Sequence, residues 1–206
     1  MTRETNAADA RRSGPPVMAA ALIVLPIVVA LMVACSGSSD VATSPAAPAT
    51  AAPATTAVPA DFEAQAADFV NLADMTPVRG FFISNPLGHL DQALAVANST
   101  SKGGTYPVGT IVQLIPGEAM VKRQAGFAPT VGDWEFFQLK TTAAGTEIQK
   151  RGGAEVVNFT NKSCSDCHKK ADPKFDFICE TDHGCDPLPV TSAQFKVIQA
   201  GDPRPK

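Results

Sequence analysis

Hydrophobic and polar positions change character along the 206-residue chain. From Ser13 to Ser39 no residue is charged, and Val17 to Ala34, "VMAAALIVLPIVVALMVA", is almost wholly aliphatic. Ser36 to Ala60 is mostly Ala, Thr, Ser and Pro, with Asp40 as its one charge and no aromatic residue. From Asp61 onward the pattern becomes periodic. "DFEAQAADFVNLADM" places Phe62, Ala66, Phe69, Val70 and Ala73 on one helical face with Asp61 at the capping position, which predicts an N-terminal helix. Thr110 to Ile115 is a β-rich run, and Pro116-Gly117 supplies the central pair of a type II turn into "EAMVKR". "DWEFFQLKT" alternates as a strand, with Trp134, Phe136 and Gln138 on one face and Glu135, Phe137 and Leu139 on the other. "AEVVNFT" predicts a further short strand, and no internal repeat is present. The expectation for 61–206 is a mainly β (α+β) domain. It comprises an antiparallel sheet, the N-terminal helix and a short helix carrying a cysteine motif.

Arg3, Arg11 and Arg12 precede the aliphatic run, so residues 1–34 read as an export signal. An uncleaved membrane helix competes with this reading, since the run is long. "LMVACSGSS" resembles a bacterial lipobox and favours cleavage before Cys35, which would carry the lipid. Either way the rest of the chain faces away from the cytoplasm, because the arginines stay inside. The expected location is the bacterial cell envelope, facing the periplasm, lipid-anchored, with the outer membrane favoured by Ser36. Residues 35–60 then form a tether: such a composition cannot bury enough apolar surface to offset its ordering entropy. At about 3.1 Å per residue it would reach roughly 75 Å.

Composition narrows the partners. The net charge of −3 offers no attraction to phosphate backbones, so nucleic acid is not an expected partner. No dinucleotide fingerprint, phosphate loop, Gly-x-Ser-x-Gly elbow or close pair of catalytic carboxylates is found. The five cysteines divide by position. Cys35 belongs to the anchor, and Cys179 and Cys185 are a pair for which a disulfide is the default in an oxidising compartment. Cys164 and Cys167 lie in "CSDCH", directly before His168. Two thiols one helical turn apart suit thioether bonds to the vinyl groups of one porphyrin, with the adjacent imidazole as axial ligand to iron; the cofactor would be haem c. A zinc site drawn from Cys164, Cys167, Cys179, Cys185, His168 and His183 is the rival reading. A thioredoxin-like exchange pair is weaker, since no βαβ pattern precedes the motif.

"YPVGT", "EAMVKRQAGF", "GDWEFFQL" and "CSDCH" followed by "FDFI", in that order, resemble the cytochrome P-460 family, which includes the cytochromes c-prime-beta. The similarity runs from about Thr76 to Val190. It implies a mainly β fold with c-type haem held by Cys164 and Cys167, an axial bond from His168, and no protein ligand on the far side of the iron. Members of the family oxidise hydroxylamine or bind nitric oxide and related small molecules. The namesake enzymes carry a lysine cross-linked to the porphyrin, on the strand after the "GT" turn. Here that strand is Thr110-Ile111-Val112-Gln113-Leu114, and the matching position falls near Leu114. Hydroxylamine oxidation is therefore not expected, and Lys122 matches a different lysine of the pattern.

Trp134 and Phe136 are candidates to wall the haem pocket, and Lys122 and Arg151 to pair with its propionates. Glu118 is a candidate distal acid, although a residue beside a Pro-Gly turn is expected to be exposed. His89 and His183 read as polar surface residues, and Met75 and Met120 as core. The functional expectation is a five-coordinate haem that binds or converts nitric oxide or a similar species, with a redox partner protein. The alternatives are a plain electron-transfer cytochrome and a zinc- or disulfide-stabilised binding lipoprotein without redox chemistry.

Overall fold

Six strands in chain order make one antiparallel meander: β1 (Thr76–Val78), β2 (Phe81–Ser84), β3 (Ile111–Gln113), β4 (Glu118–Lys122), β5 (Trp134–Thr142) and β6 (Gly145–Gly152). The computed structural model describes residues 60–206. The export signal, Cys35 and the tether up to residue 59 lie outside the described residues. Among the described residues three α-helices accompany the sheet: α1 (Leu90–Ala97), α2 (Cys164–His168) and α3 (Ser192–Ala200). The mainly β, α+β expectation therefore holds.

β5 shows why the sheet sits centrally. Trp134, Phe136 and their neighbours Met120 and Val112 pack on one face with Phe81, Ile83, Tyr106 and α1. Phe137 and Leu139 pack on the other with Ala119, Val121, Phe69, Leu72 and Met75. Both faces are covered, so the first four residues of β5 are all buried instead of alternating with solvent. The two-faced alternation read from the sequence is correct, and a register slip of one residue would exchange the two cores. The strand irregularity between Gln138 and Leu139 falls where β5 leaves the covered region.

The expected N-terminal helix is instead two single turns of 3-10 helix, Ala66–Asp68 and Leu72–Asp74. Polar side chains intercept the backbone: Asp68 accepts from the Gln65 amide at 2.7 Å and Asn71 from the Ala73 amide at 2.8 Å. The segment lies along the sheet and buries Ala64, Phe69, Leu72 and Met75, whereas Val70 and Ala73 of the predicted face are exposed. Asp61 caps no helix; it pairs with Arg123 at 2.5 Å. The Glu118 amide donates to the Ile115 carbonyl at 3.3 Å across Pro116-Gly117, but Gly117 lacks the positive φ that a type II turn requires. "AEVVNFT" keeps a single bridge, Val157 to Ser163, because Asn158 folds the chain back by accepting from the amides of Thr160 and Lys162.

Candidate haem-attachment site

That reversal at Asn158 is what places the cysteine motif. The Cys164 amide reaches back to the Val156 carbonyl at 3.0 Å, anchoring the start of α2 on a fully buried valine. Ser163 caps the helix, its hydroxyl accepting from the Asp166 amide at 3.2 Å. One helical turn then presents Cys164, Cys167 and His168 to the sheet face that carries Phe136, whose ring centroid lies 5.0 Å from that of His168.

All three motif side chains line one open cleft with a cavity volume of about 150 Å³. Its other walls are Phe81, Val112, Leu114, Met120 and Phe136 from the sheet, with Ile178, Cys179 and Leu188 opposite. Its polar lining includes Glu118, Asn158 and Asp186. Mostly apolar walls with a few placed polar groups are typical of cofactor sites. The donor set fits the group that the sequence implies: two unbridged thiols and an imidazole on one turn. His168 Nδ1 lies 2.9 Å from the Phe177 carbonyl, so this nitrogen carries the proton and Nε2 keeps its lone pair for a ligand bond. Burial holds the His168 pKa below its ordinary value, and the Phe177 carbonyl opposes the shift. Burial also pushes the Cys164 thiol up to about 12 and raises the Glu118 carboxyl, which accepts from the Phe159 amide at 2.6 Å.

The Phe177 carbonyl is held by a buried network that pattern reading missed. Asp176 and Phe177 both adopt left-handed backbone, with φ of 53° and 60°. Lys122 Nζ lies 2.7 Å from each Asp176 carboxylate oxygen, and the Tyr106 amide donates to Oδ2 at 2.8 Å. Trp134 Nε1 donates to the Asp176 carbonyl at 2.7 Å. Burial pushes the Asp176 carboxyl up, while the Lys122 ammonium pulls against it. Gly132 completes the enclosure: a Cβ there would lie 2.6 Å from the Phe177 ring, and its own φ is 64°. "FDFI" and "GDW" thus support His168 through the backbone.

Several expectations change accordingly. Lys122 does not face a propionate; its ammonium is enclosed by Asp176 and Gly132. Arg151 lies on the opposite sheet face, bound to Glu135 at 2.7 Å and over the Phe137 ring, so it is far from the cleft lining. Trp134 does not wall the cleft but lies beneath Asp176, whereas Phe136 walls it as expected. Glu118, expected to be exposed, lines the cleft. Met75 is core under the far face, and Met120, also buried, contributes to the cleft wall. His183 is neither a free surface group nor placed with the motif: it stacks on Phe175 at 3.8 Å and contacts the Ile178 carbonyl. Lys162 and Lys170 border an adjoining pocket that shares Asn158, Cys167, Asp186 and Leu188 with the cleft.

Cys179 and Cys185 are joined by a disulfide with Cα atoms 5.5 Å apart. Among the described residues, the group close enough to share a metal ion is Cys167, Cys179 and Cys185, and two of these are consumed by that bond. No described helix is long and apolar enough to cross a membrane. The chain matches no family model, no curated protein and no solved structure in the comparisons with known proteins.

Proposed function

We propose that this chain is an envelope lipoprotein, anchored through Cys35, whose domain carries one c-type haem and binds nitric oxide or a related small neutral nitrogen species. The supporting observation is the convergence of Cys164, Cys167 and an imidazole with a free Nε2 on one apolar cleft. When bound, the haem would supply an iron able to change oxidation state and take up a diatomic ligand. Cys164 and Cys167 would hold the porphyrin edge, and His168 would be the axial ligand, oriented by the Phe177 carbonyl and the Phe136 ring. Phe81, Val112, Leu114 and Met120 would give the cofactor apolar walls. Glu118 and Asp186 place carboxylates at its lining, so neutral ligands are favoured over anions. Leu114 points to the cleft where the resembled enzymes have their cross-linking lysine, which supports ligand binding over hydroxylamine oxidation.

A second reading rests on Met120. Its thioether borders the cleft, and ligation by that sulfur would close the iron and make the protein an electron carrier. The test is spectroscopy of the full chain, exported in cells with a c-type haem maturation system. Mass analysis should show one haem added to the peptide with Cys164 and Cys167. The ferrous form should bind carbon monoxide with a shifted absorption band; a six-coordinate ferrous spectrum indifferent to carbon monoxide selects the carrier. Colourless protein with both thiols free removes both readings.

A further inference from the structure

A cluster of three sulfur atoms lies at the edge of the same cleft. The Sγ atoms of Cys167, Cys179 and Cys185 all lie within 4.8 Å of one another, and Cys185 Sγ is 3.7 Å from the Cys167 carbonyl. Cys167 is half-buried and unbridged. The disulfide loop is fastened to the end of α2 by contacts independent of sulfur. The Asp172 amide donates to the His183 carbonyl at 2.7 Å, and Lys170 pairs with Asp186 at 2.6 Å. Gly184, at φ 95°, approaches so closely that a Cβ would lie 2.8 Å from the Lys170 carbonyl. The loop therefore keeps its disulfide against the thiol.

We propose that Cys167 and the Cys179–Cys185 disulfide form an internal thiol–disulfide exchange site, active in the chain before Cys167 is alkylated by a cofactor. In the first step the Cys167 thiolate attacks one sulfur of the disulfide, Cys185 for instance. The Cys167–Cys185 bond forms, the Cys179–Cys185 bond breaks, and its electron pair leaves on Cys179, which takes up the proton that Cys167 released. The second step is the slower one, because burial keeps Cys164 largely protonated: its small thiolate fraction, one helical turn away, attacks Cys167 and releases Cys185, which takes up the proton that Cys164 lost. Two electrons have then moved within the chain: the motif pair is oxidised, the loop pair is reduced, and no external oxidant is consumed. The oxidised motif has no thiol left for a thioether bond, so the loop governs readiness for cofactor attachment. A carbon–sulfur bond on Cys167 closes the exchange and leaves the loop disulfide permanently in place. The inference uses the motif of the proposed function but does not depend on haem being attached.

The test uses the full chain exported from cells that lack c-type haem maturation. Folded protein is incubated at mildly alkaline pH, acid-quenched, treated with N-ethylmaleimide in denaturant and digested without reduction. Trypsin cuts at Lys169, Lys170 and Lys174, which separates the two cysteine pairs. We expect peptides linking Cys167 to Cys179 or Cys185, or a Cys164–Cys167 bridge with both loop thiols alkylated. Cys164→Ala blocks the second step and should accumulate the mixed disulfide. Proximity in the fold should raise its yield at least about tenfold over the same protein in strong urea. Recovery of Cys179–Cys185 alone in both proteins, with the motif thiols fully alkylated, overturns the proposal, as does equal mixed-disulfide yield in urea. Absence of haem from matured protein would remove the proposed function and leave this result standing.

Discussion

His168 depends on a backbone carbonyl, and that carbonyl on a buried lysine. Lys122→Met would leave the Asp176 carboxylate buried without its counter-charge, which typically costs about 3–5 kcal/mol. Urea denaturation should show this loss, and a cost no larger than that of an exposed pair would show that Asp176 finds another partner. Gly132→Ala should destabilise through the same network, by steric conflict with Phe177 and a left-handed backbone that alanine resists. His168→Gly tests the axial role separately. Matured protein should keep its covalent haem by mass but lose the proximal spectrum, and added imidazole should restore it; an unchanged spectrum would exclude His168 as the ligand.

At the scale of elements, the N-terminal segment behaves as a strap and not as a helix. Its end is clamped by Arg123, which holds the Asp61 carboxyl at about 2, well below the usual carboxylate range. A depressed folded-state value stabilises the fold above the unfolded carboxylate pKa of about 3.8 and loses that contribution as pH falls through about 2. Asp61→Asn should therefore flatten the acid limb of a stability–pH profile between those values; an unaltered limb would show that the clamp contributes nothing. α3 is the complementary case. None of its residues is buried, and Gln199 ties it to the sheet by donating to the Gly80 and Leu114 carbonyls at 2.9 and 2.8 Å. Gln199→Ala should speed amide exchange over 192–200 while leaving β5 protected. Both helices missed in the sequence had local signals: Thr191 and Gln194 form a capping box, and Asn85 accepts from the Leu87 amide ahead of α1.

For the molecule as a whole, a buried arginine fastens the C-terminal segment to the strap and to β3. Arg204, buried, donates to the Phe69 carbonyl at 2.9 Å and pairs with Asp202. Replacing Cys179 and Cys185 by serine opens a loop of sequence separation 6 and should cost about 2 kcal/mol in the chain-entropy description. Denaturation of the double variant measures this directly. A much larger loss would mean that the loop also supports α2, to which Gly184 and His183 fasten it. The cleft meets a second cavity bordering α3, since Phe81, Leu114 and Cys179 line both. The cleft and the C-terminal segment therefore share a wall.

By itself the sequence determined the α+β class, the two faces of β5, the short helix bearing "CSDCH" and the pairing of Cys179 with Cys185. Each is local chemistry: strand alternation, a capped turn, two thiols six residues apart. Tertiary structure alone decided what the charged residues do, because a charge is read by its partner and not by its neighbours in the chain. Lys122 turned to Asp176, 54 positions away, and Arg151 to Glu135 on the far face. The strap followed the same logic, its backbone shaped by Asp68 and Asn71 and by the sheet beneath it, which no helical period encodes.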